Sequence, residues 1–572
     1  MTLLLQPFTE DCLRLLRWTH LPALLLASFV FPALAADGGT GYIGSTACGS
    51  CHAAIHESYL ATPMGRSSGR AGSGSFQEEM HASDFSHALS GVRYQIQKQR
   101  EGFTLTFSQK QPAGAAEIRG TQQLTHFIGS GSVGRSYLFS VMGFLFQAPV
   151  SYYARSRKWD LAPGYQHHDD LFLMRPVESE CLECHASRVQ PVPGTQNGYR
   201  EVPFLEGSIS CERCHGPGKI HADGIASGRH AAAKHIVNPA TLEAPRRDSV
   251  CAQCHLLGEV RIVREGRSLS DFVPGELLSD YAVSLVWKSI TASGLKATSH
   301  YQKLWQSRCR QMSGDRLWCG TCHSLHSPPN RQQSADFFRR KCLACHQQND
   351  CRESTTLRRT RNDHCVQCHM PKAQSLEAEH SVFTDHAIPR RPLAKPVDAS
   401  PVADNELISF WGPKAEPREL GIGYAQLGRQ LQDKNQVARA VGLLRAAEAA
   451  GHGDASVLLQ LAYASDQLGR REEATSYYQR ARQLDPTQTV ASVNLANHLA
   501  MKGQTREAIA LWEDALLRNP GLESARVNMA MAFLQQGDRS SAEKVLKTAL
   551  GLNPVSRAVR RLLADPRLAR QR

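Results

Sequence analysis

The pattern Cys-x-x-Cys-His occurs seven times between residues 48 and 369, and it constrains the fold more than any other feature of the sequence. With 17 cysteines and 24 histidines among 572 residues, chance would give about 0.02 copies. The motif cysteines are Cys48, Cys51, Cys181, Cys184, Cys211, Cys214, Cys251, Cys254, Cys319, Cys322, Cys342, Cys345, Cys365 and Cys368. The motif histidines are His52, His185, His215, His255, His323, His346 and His369.

This spacing is the attachment signature of c-type haem. The two thiols add to the vinyl groups of the porphyrin, and the neutral imidazole that follows binds the iron from the same face. Zinc sites pair one Cys-x-x-Cys with another and need no histidine directly after each pair. Disulfides would leave the seven regularly placed histidines unexplained. We therefore predict seven covalently attached c-type haems, each with its iron bound by the motif histidine.

The net charge does not indicate nucleic-acid binding once the haems are counted. The formal net charge is +13, which by itself is typical of proteins that bind polyanions. Each haem carries two propionates, so seven haems bring 14 negative charges against this +13 and leave the loaded protein close to neutral. We expect many lysines and arginines to pair with propionates.

The N-terminus has the features of an export signal. Arg14 and Arg17 precede the apolar run 21–35, which ends in the small-x-small sequence Ala33-Leu34-Ala35. The run is short for a spanning helix and contains two prolines. We predict a cleaved signal peptide over residues 1–35 and a periplasmic protein. Membrane association would then come only through a partner or through an uncleaved signal.

Two histidines follow motif histidines closely. His221 lies six residues after His215, and His326 lies three residues after His323. Each emerges on the side of its own porphyrin that the motif histidine already occupies, so the iron that it can reach belongs to another haem. The sequence therefore predicts haems packed closely enough to share short loops, as electron hopping requires.

Three other residues have two interpretations each. Met64 is either a thioether ligand, which would raise the potential of its haem, or a packing residue. Cys309 and Cys351 are the two mature cysteines outside the motifs. They form either a disulfide, which an oxidising compartment permits, or two free thiols.

A different organisation begins after about residue 400, where a 34-residue period replaces the haem motifs. Its phased positions are Leu427, Leu461, Leu495 and Met529, with Ala440, Ala474, Ala508 and Ala542 and with Ala447, Ala481, Ala515 and Ala549. Gly469, Gly503 and Gly537 mark the turn inside a unit. This is the pattern of the tetratricopeptide repeat, which has two helices per unit. About four repeats and a capping helix are expected.

The predicted architecture is mainly α. Residues 36–387 form a haem-packed multihaem cytochrome c domain with few strands, and 419–566 form an α-solenoid of tetratricopeptide repeats. Residues 388–418 are rich in proline and read as a linker. The alternating stretch 93–109 predicts one β-hairpin that turns at Glu101-Gly102.

With their flanks, these motifs resemble exported bacterial proteins that join a multihaem cytochrome c module to tetratricopeptide repeats. The resemblance covers most of residues 41–560 and rests on stretches such as YIGSTACGSCH, FIGSGSVGRSYL, SCERCHGPGKIH and CVQCHMPK. The haem module is similar to the group that contains tetrahaem electron acceptors, hydroxylamine oxidoreductase and pentahaem nitrite reductase.

The resemblance implies a second, distal histidine on each iron. The residues it implies are His87, His168, His221, His300, His326, His380 and His386. Two positions depart from the related proteins. Val133 stands where their glycine loop has a histidine, so a ligand role there is lost or moves to His126, and Met64 stands near another of their histidines. Each departure would leave one iron with an open or unusual sixth position.

Two functions remain after these steps. The first is an electron-transfer protein whose repeats dock a redox partner protein. The second is a multihaem oxidoreductase in which one open haem acts on a small nitrogen or sulfur compound. Nitrite reductases of the related group mark their active haem with Cys-x-x-Cys-Lys, which does not occur in this sequence. The sequence therefore favours the electron carrier and assigns no catalytic residue.

Overall fold

A computed structural model of the protein describes residues 41–74, 76–110, 117–288, 298–347, 350–374, 382–391 and 406–569. The described strands are β1 Ser68–Arg70, β2 Asp84–His87, β3 Val92–Lys98, β4 Phe103–Gln109, β5 Ile118–Leu124, β6 His126–Ile128, β7 Gly134–Val141, β8 Phe144–Tyr153, β9 Lys158–Leu161, β10 Arg175–Pro176, β11 Ala186–Pro191, β12 Tyr199–Gly207, β13 Val260–Val263, β14 Ala282–Trp287, β15 Lys372–Gln374, β16 Val382–Thr384 and β17 Leu407–Ser409.

Short helices lie among the strands, and longer ones follow them. The α-helices of the described residues are α1 Ser45–Gly49, α2 Ala53–Leu60, α3 Ser179–Glu183, α4 Glu212–His215, α5 Lys219–Ala226, α6 Ala244–His255, α7 His300–Gln306, α8 Arg308–Ser313, α9 Cys319–Cys322, α10 Ser334–Leu343, α11 Thr355–Thr360, α12 Cys365–His369, α13 Pro417–Gln430, α14 Lys434–Ala449, α15 Ala455–Gln467, α16 Arg471–Leu484, α17 Thr489–Met501, α18 Thr505–Arg518, α19 Glu523–Gln535, α20 Arg539–Leu552, α21 Arg557–Leu563 and α22 Pro566–Ala569.

The expectation of few strands before the repeats was wrong. A six-stranded sheet contains β1, β6, β7, β8 and β10 in that order, with β9 paired to β8, and a four-stranded sheet runs β2-β3-β4-β5. Smaller sheets are formed by β11-β12, by β13-β14-β17 and by β15-β16. The region therefore has a protein core of its own beside the haem motifs.

That core is aromatic and contains one buried ion pair. Phe103, Tyr137 and Trp159 belong to its main buried cluster, and each is at most 1% exposed. Arg135 Nη1 donates to Glu78 Oε1 over 3.0 Å, with both side chains almost fully buried. A pair in this setting is costly to disrupt from one side only, because the remaining charge stays desolvated.

The predicted hairpin is confirmed. Strands β3 and β4 pair antiparallel from Val92 opposite Gln109 to Lys98 opposite Phe103. Gly102 adopts a φ of 82°, which suits glycine at the turn. Alternate residues of β4 are buried, so the periodicity of two in the sequence corresponds to one core-facing side of the sheet.

The C-terminal helices form the predicted repeat array, with antiparallel pairs α13–α14, α15–α16, α17–α18 and α19–α20. The phased alanines are the close-contact positions: Ala440, Ala474, Ala508 and Ala542 are all 0% exposed. Small side chains there let the paired helices approach. Gly469, Gly503 and Gly537 have positive φ at the turns inside the second, third and fourth repeats.

The array packs directly on the strand-containing region at its first repeat. Helix α13 lies against β13, β14 and β17, and a Cβ added at Gly423 would lie 2.4 Å from a methyl carbon of Leu285. Strand β17 belongs to the 388–418 segment read as a linker, and it pairs with β14. The end of that segment is therefore part of a sheet.

The far end of the array is also anchored. Val555 is fully buried within the aromatic core cluster, and Asn553 Nδ2 donates to the Leu171 carbonyl over 3.0 Å. Between these ends, the Gln196 side chain accepts from Thr489 Oγ1 and Asn519 Nδ2, each over 2.8 Å.

Residues from Gly41 onward form one unit. No helix within the described residues is long and apolar enough to cross a membrane. The predicted signal peptide lies outside the described residues.

Candidate haem-binding cavity

One large cavity joins the seven motifs. Its volume is about 3170 Å³, several times the ~300–1,000 Å³ of a pocket for one small ligand. All seven motif histidines and every motif cysteine except Cys181 line it. A space of this size with seven sets of attachment residues fits several large cofactors better than one.

Local helical structure presents each motif to the cavity. The N–H of His52 donates to the Cys48 carbonyl over 2.9 Å, and the N–H of His215 donates to the Cys211 carbonyl over 3.0 Å. This turn brings residues i, i+3 and i+4 to one face of a helix. Two thiols and one imidazole therefore face the same side, as the attachment chemistry needs.

Histidine rings face each other across the cavity in near-parallel pairs. The ring centroids of His52 and His221 are 6.5 Å apart with an angle of 16° between the planes. The corresponding values are 5.8 Å and 14° for His215 and His326. An iron bound to two imidazoles at ~2.0 Å per bond would separate the centroids by about 6 Å. Both centroid separations are close to this value.

Further histidines gather around motifs 4 and 5. The rings of His323 and His386 are 6.2 Å apart at 28°, close to the parallel arrangement. His300 contacts His255 at 5.6 Å and His386 at 4.9 Å, both edge to face. His221, His300, His326 and His386 are thus the predicted distal histidines that the structure brings to motif histidines.

Backbone carbonyls orient several of these rings. Nδ1–H donates to a carbonyl at His215 (Val237, 2.7 Å), His386 (Thr384, 2.9 Å) and His369 (Pro389, 3.0 Å). This hydrogen bond fixes the tautomer and leaves Nε2 free to ligate a metal. Burial also lowers the pKa of His386, and it lowers the pKa of His323 to about 4 with help from His386. Burial therefore favours the neutral, metal-binding form.

Thiols of different motifs lie near one another. The neighbouring pairs are Cys48 with Cys211, Cys184 with Cys254, Cys251 with Cys319 and Cys342 with Cys365. Motif 1 therefore lies beside motif 3, motif 2 beside motif 4, motif 4 beside motif 5, and motif 6 beside motif 7. Two of these four pairs join motifs that are not consecutive along the chain.

The cavity wall carries an excess of cations. Its charged residues are Arg213, Arg308, Arg339, Lys341, Arg352, Arg358, Arg361, Arg390 and Arg391 against Glu212, Asp223, Asp350, Glu353 and Asp363. Guanidinium groups bind carboxylates through charge-assisted hydrogen bonds. The excess suits the propionates of bound haems.

Three predicted or considered ligands lie elsewhere. His87 does not line the cavity, and its Nδ1 and Nε2 are already bonded to Ser90 Oγ and the Gln166 carbonyl. His168 lies between Tyr165 and Phe172 in the strand-containing region. His126 packs edge to face on Phe204, also away from the cavity. His380 lies outside the described residues.

The remaining candidates have mixed positions. Met64 lines the cavity near the 129–134 loop, as does Val133. Cys309 and Cys351 are both free thiols.

The described residues contain no group of three or more His, Cys, Asp or Glu side chains placed to hold a metal ion by themselves. Sequence reasoning missed Glu212, whose role is visible only through its backbone partners.

Comparisons with known proteins agree with part of the motif-containing region and with the repeat array. The family described as "Cytochrome c554 and c-prime" matches residues 160–216, which contain motifs 2 and 3. Tetratricopeptide repeat families match residues 455–488 and 499–565. No curated protein matches the sequence.

Several solved structures are similar to about a quarter of the chain. YrrB, a tetratricopeptide repeat protein with an unusual peptide-binding site, is 22% identical over 25% of this chain and 73% of its own, with a TM-score of 0.23. MamA is 22% identical over 23% of this chain and 78% of its own, with a TM-score of 0.22. A repeat protein from Parabacteroides merdae is 20% identical over 25% and 57%, with a TM-score of 0.23. The chain thus combines a region similar to c-type cytochromes, which carries haem-attachment motifs, with a C-terminal tetratricopeptide repeat array.

Proposed function

We propose that this protein is a periplasmic c-type cytochrome that passes single electrons through seven covalently attached haems. The observation that carries the proposal is the set of facing imidazoles, because two near-parallel rings about 6 Å apart are arranged for one iron. The pairs His52–His221 and His215–His326 have this arrangement. Each haem, once bound, supplies a one-electron iron couple.

The residues of the chain hold and tune these cofactors. The pairs that would each hold one haem iron are His52 with His221, His215 with His326, His323 with His386 and His255 with His300. Carbonyls that bind Nδ1–H hold several of these rings in orientation and increase their basicity as ligands. The proximity of thiols in motifs 1 and 3, 2 and 4, 4 and 5, and 6 and 7 favours short distances between neighbouring haems.

The repeat array is proposed to dock a protein partner. The matches to tetratricopeptide repeat families support an interaction module. Met501 and Met531, near the ends of the first helices of repeats three and four, are exposed. Methionine side chains adapt to varied apolar partners. A redox protein held there would be close to the haem region, because the array is packed against it.

A haem assay on the exported protein tests the main proposal. Purified protein from the periplasmic fraction should give about seven haem equivalents per chain in a pyridine haemochrome assay. The reduced protein should bind little carbon monoxide, and the ferric protein should give a mainly low-spin EPR signal. Far fewer haems per chain, or bound zinc in their place, would refute the proposal.

An oxidoreductase remains the second candidate because of one observation. Among the described residues, no second histidine ring contacts His185, His346 or His369, unlike the four paired motif histidines. A haem iron bound by only one protein ligand would have one coordination position open to a small substrate. Stoichiometric carbon monoxide binding together with a high-spin ferric signal would favour this function over the simple carrier.

A further inference from the structure

We propose that Glu212 is a positioning residue that holds His221, which follows motif 3, opposite His52 of motif 1. The inference rests on the proposed function, since it concerns two of the seven attachment sites. Glu212 is the residue directly after Cys211 in motif 3, and its side chain is 2% exposed. Its partners lie on the segment that leads into motif 1.

The carboxylate binds three backbone N–H groups from two separate stretches. Oε2 accepts from Gly44 over 2.7 Å. Oε1 accepts from Ile43 over 2.9 Å and from Gly218 over 2.8 Å. An ionised carboxylate offers two acceptor oxygens and no donor, which suits a site where every group that faces it is a donor.

Neighbouring contacts lock the same two segments together. Glu206 Oε1 accepts from the Ser45 N–H over 2.7 Å, and Ser45 Oγ accepts from the Cys211 N–H over 3.1 Å. The Tyr59 hydroxyl donates to the Ile209 carbonyl over 2.8 Å. Residues 41–59 are therefore tied to residues 206–218 on both sides of motif 1.

The consequence reaches the haem-attachment atoms. The thiols of Cys48 and Cys211, one from each motif, lie near each other. His221, which follows motif 3, faces His52 of motif 1 with nearly parallel planes. If the hydrogen bonds of the Glu212 carboxylate are weakened, His221 moves relative to His52. The separation of the two rings, between which one iron would lie, then changes. Glu212 thus acts on the first haem through the placement of His221.

The conservative variant Glu212→Gln separates this role from burial alone. Glutamine has nearly the same size, but its amide would direct N–H donors toward backbone N–H groups and satisfy fewer of them. Glu57→Gln is the matched control, because Glu57 lies on α2 beside the same motif and is exposed. Ser45→Ala removes the hydrogen bond from the Cys211 N–H to Ser45 Oγ, which joins the same two segments. This variant replaces Glu212→Gln in the test if the glutamine variant does not acquire its haems.

The experiment uses the fully loaded protein, with three readouts on each variant. Haem content by pyridine haemochrome should stay at the wild-type value. Carbon monoxide bound per reduced chain should rise by up to one equivalent in Glu212→Gln, and a ferric high-spin signal should grow in parallel. Ser45→Ala should show a smaller change in the same direction, and Glu57→Gln should match the wild type.

Each outcome has a separate meaning. If Glu212→Gln lowers the melting temperature but leaves carbon monoxide binding and spin state unchanged, the residue is only structural and the inference fails. The same conclusion follows if Glu57→Gln gives the same spectral change. If the wild type itself lacks about seven haems, the proposed function fails first, independently of Glu212.

Discussion

The anchoring of the repeat array at its far end yields a quantitative prediction. Val555 follows the last repeat, is 0% exposed and belongs to the buried cluster built mainly from the N-terminal sheets. Val555→Ala removes two buried methyl groups, at about 0.8 kcal/mol each, and leaves a small cavity. The expected loss is about 2–3 kcal/mol of unfolding free energy, shared by the array and the haem region.

Thermal or urea unfolding followed by two signals tests this. Far-UV circular dichroism reports mainly the helices of the array, and the Soret band reports the haem region. Both transitions should shift together in Val555→Ala, because a shared core couples the two parts. Val202→Ala, at a position that is 45% exposed, should shift neither.

Leu546→Ala gives the comparison within the array, since Leu546 is fully buried among repeat residues. It should lower the stability of the helices at least as much as Val555→Ala. If Val555→Ala moved only the helical transition while the Soret transition stayed at its wild-type midpoint, the array would not be coupled to the sheets. The packing described here would then be refuted.

Three further predictions concern charge. Glu78→Gln should destabilise the protein by about 3–5 kcal/mol in urea unfolding, because it leaves the buried Arg135 without its carboxylate; a loss below 1 kcal/mol would contradict this. Burial, with a contribution from Arg70, lowers the pKa of His126 from 6.5 to about 4. Between pH 6.5 and 4 the unfolded chain therefore binds a proton at His126 that the folded protein does not bind. The free energy of unfolding should fall as the pH drops from 6.5 toward 4. Urea unfolding should show a smaller fall in His126→Gln. Reversing Arg340 and Arg359, two exposed cations near motifs 6 and 7, should slow reduction by dithionite about tenfold at low ionic strength but not at high ionic strength. Reversing Lys434 and Arg506 of the array should leave the rate of reduction unchanged.

The sequence predicted those parts that depend on short-range patterns. A five-residue motif requires only one helical turn, so the identity of the attachment residues could be read directly. The repeat array was equally accessible, because each unit contacts only its neighbours and the period of 34 exposes the packing alanines. The β3–β4 hairpin was found for the same reason, since one buried face leaves an alternating pattern.

The missed strands lacked such a pattern. Strand β8 is buried along nearly its whole length, with most residues on both faces covered. A strand of this kind reads as a continuous apolar run and has no alternation to detect. Strand β7 joins β8 through a short turn, but the pairs β8–β10 and β1–β6 bring together residues that are far apart in sequence, and no local pattern predicts them.

The predicted distal histidines show the same contrast between short-range and long-range placement. His221 and His326 could be placed from the sequence because a motif histidine six or three residues earlier restricts where each can point. His87, His168, His300 and His386 were inferred from resemblance alone. The structure places His87 and His168 outside the cavity but brings His300 and His386 to motif histidines. The difference is physical, since a loop of a few residues limits direction whereas a distant residue is positioned by the whole fold.

The order of the motifs in space bears on how electrons could move. Motif 1 lies near motif 3, and motif 2 near motif 4, through thiols that are more than a hundred and about seventy residues apart, respectively. His221, after motif 3, lies opposite His52 of motif 1, and His326, after motif 5, lies opposite His215 of motif 3. Under the proposed ligation, a change in one of these loops would act on the iron of a different motif. A substitution such as His326→Ala should then alter the haem at motif 3 and leave the haem at motif 5 low-spin, although His326 is three residues from the histidine of motif 5.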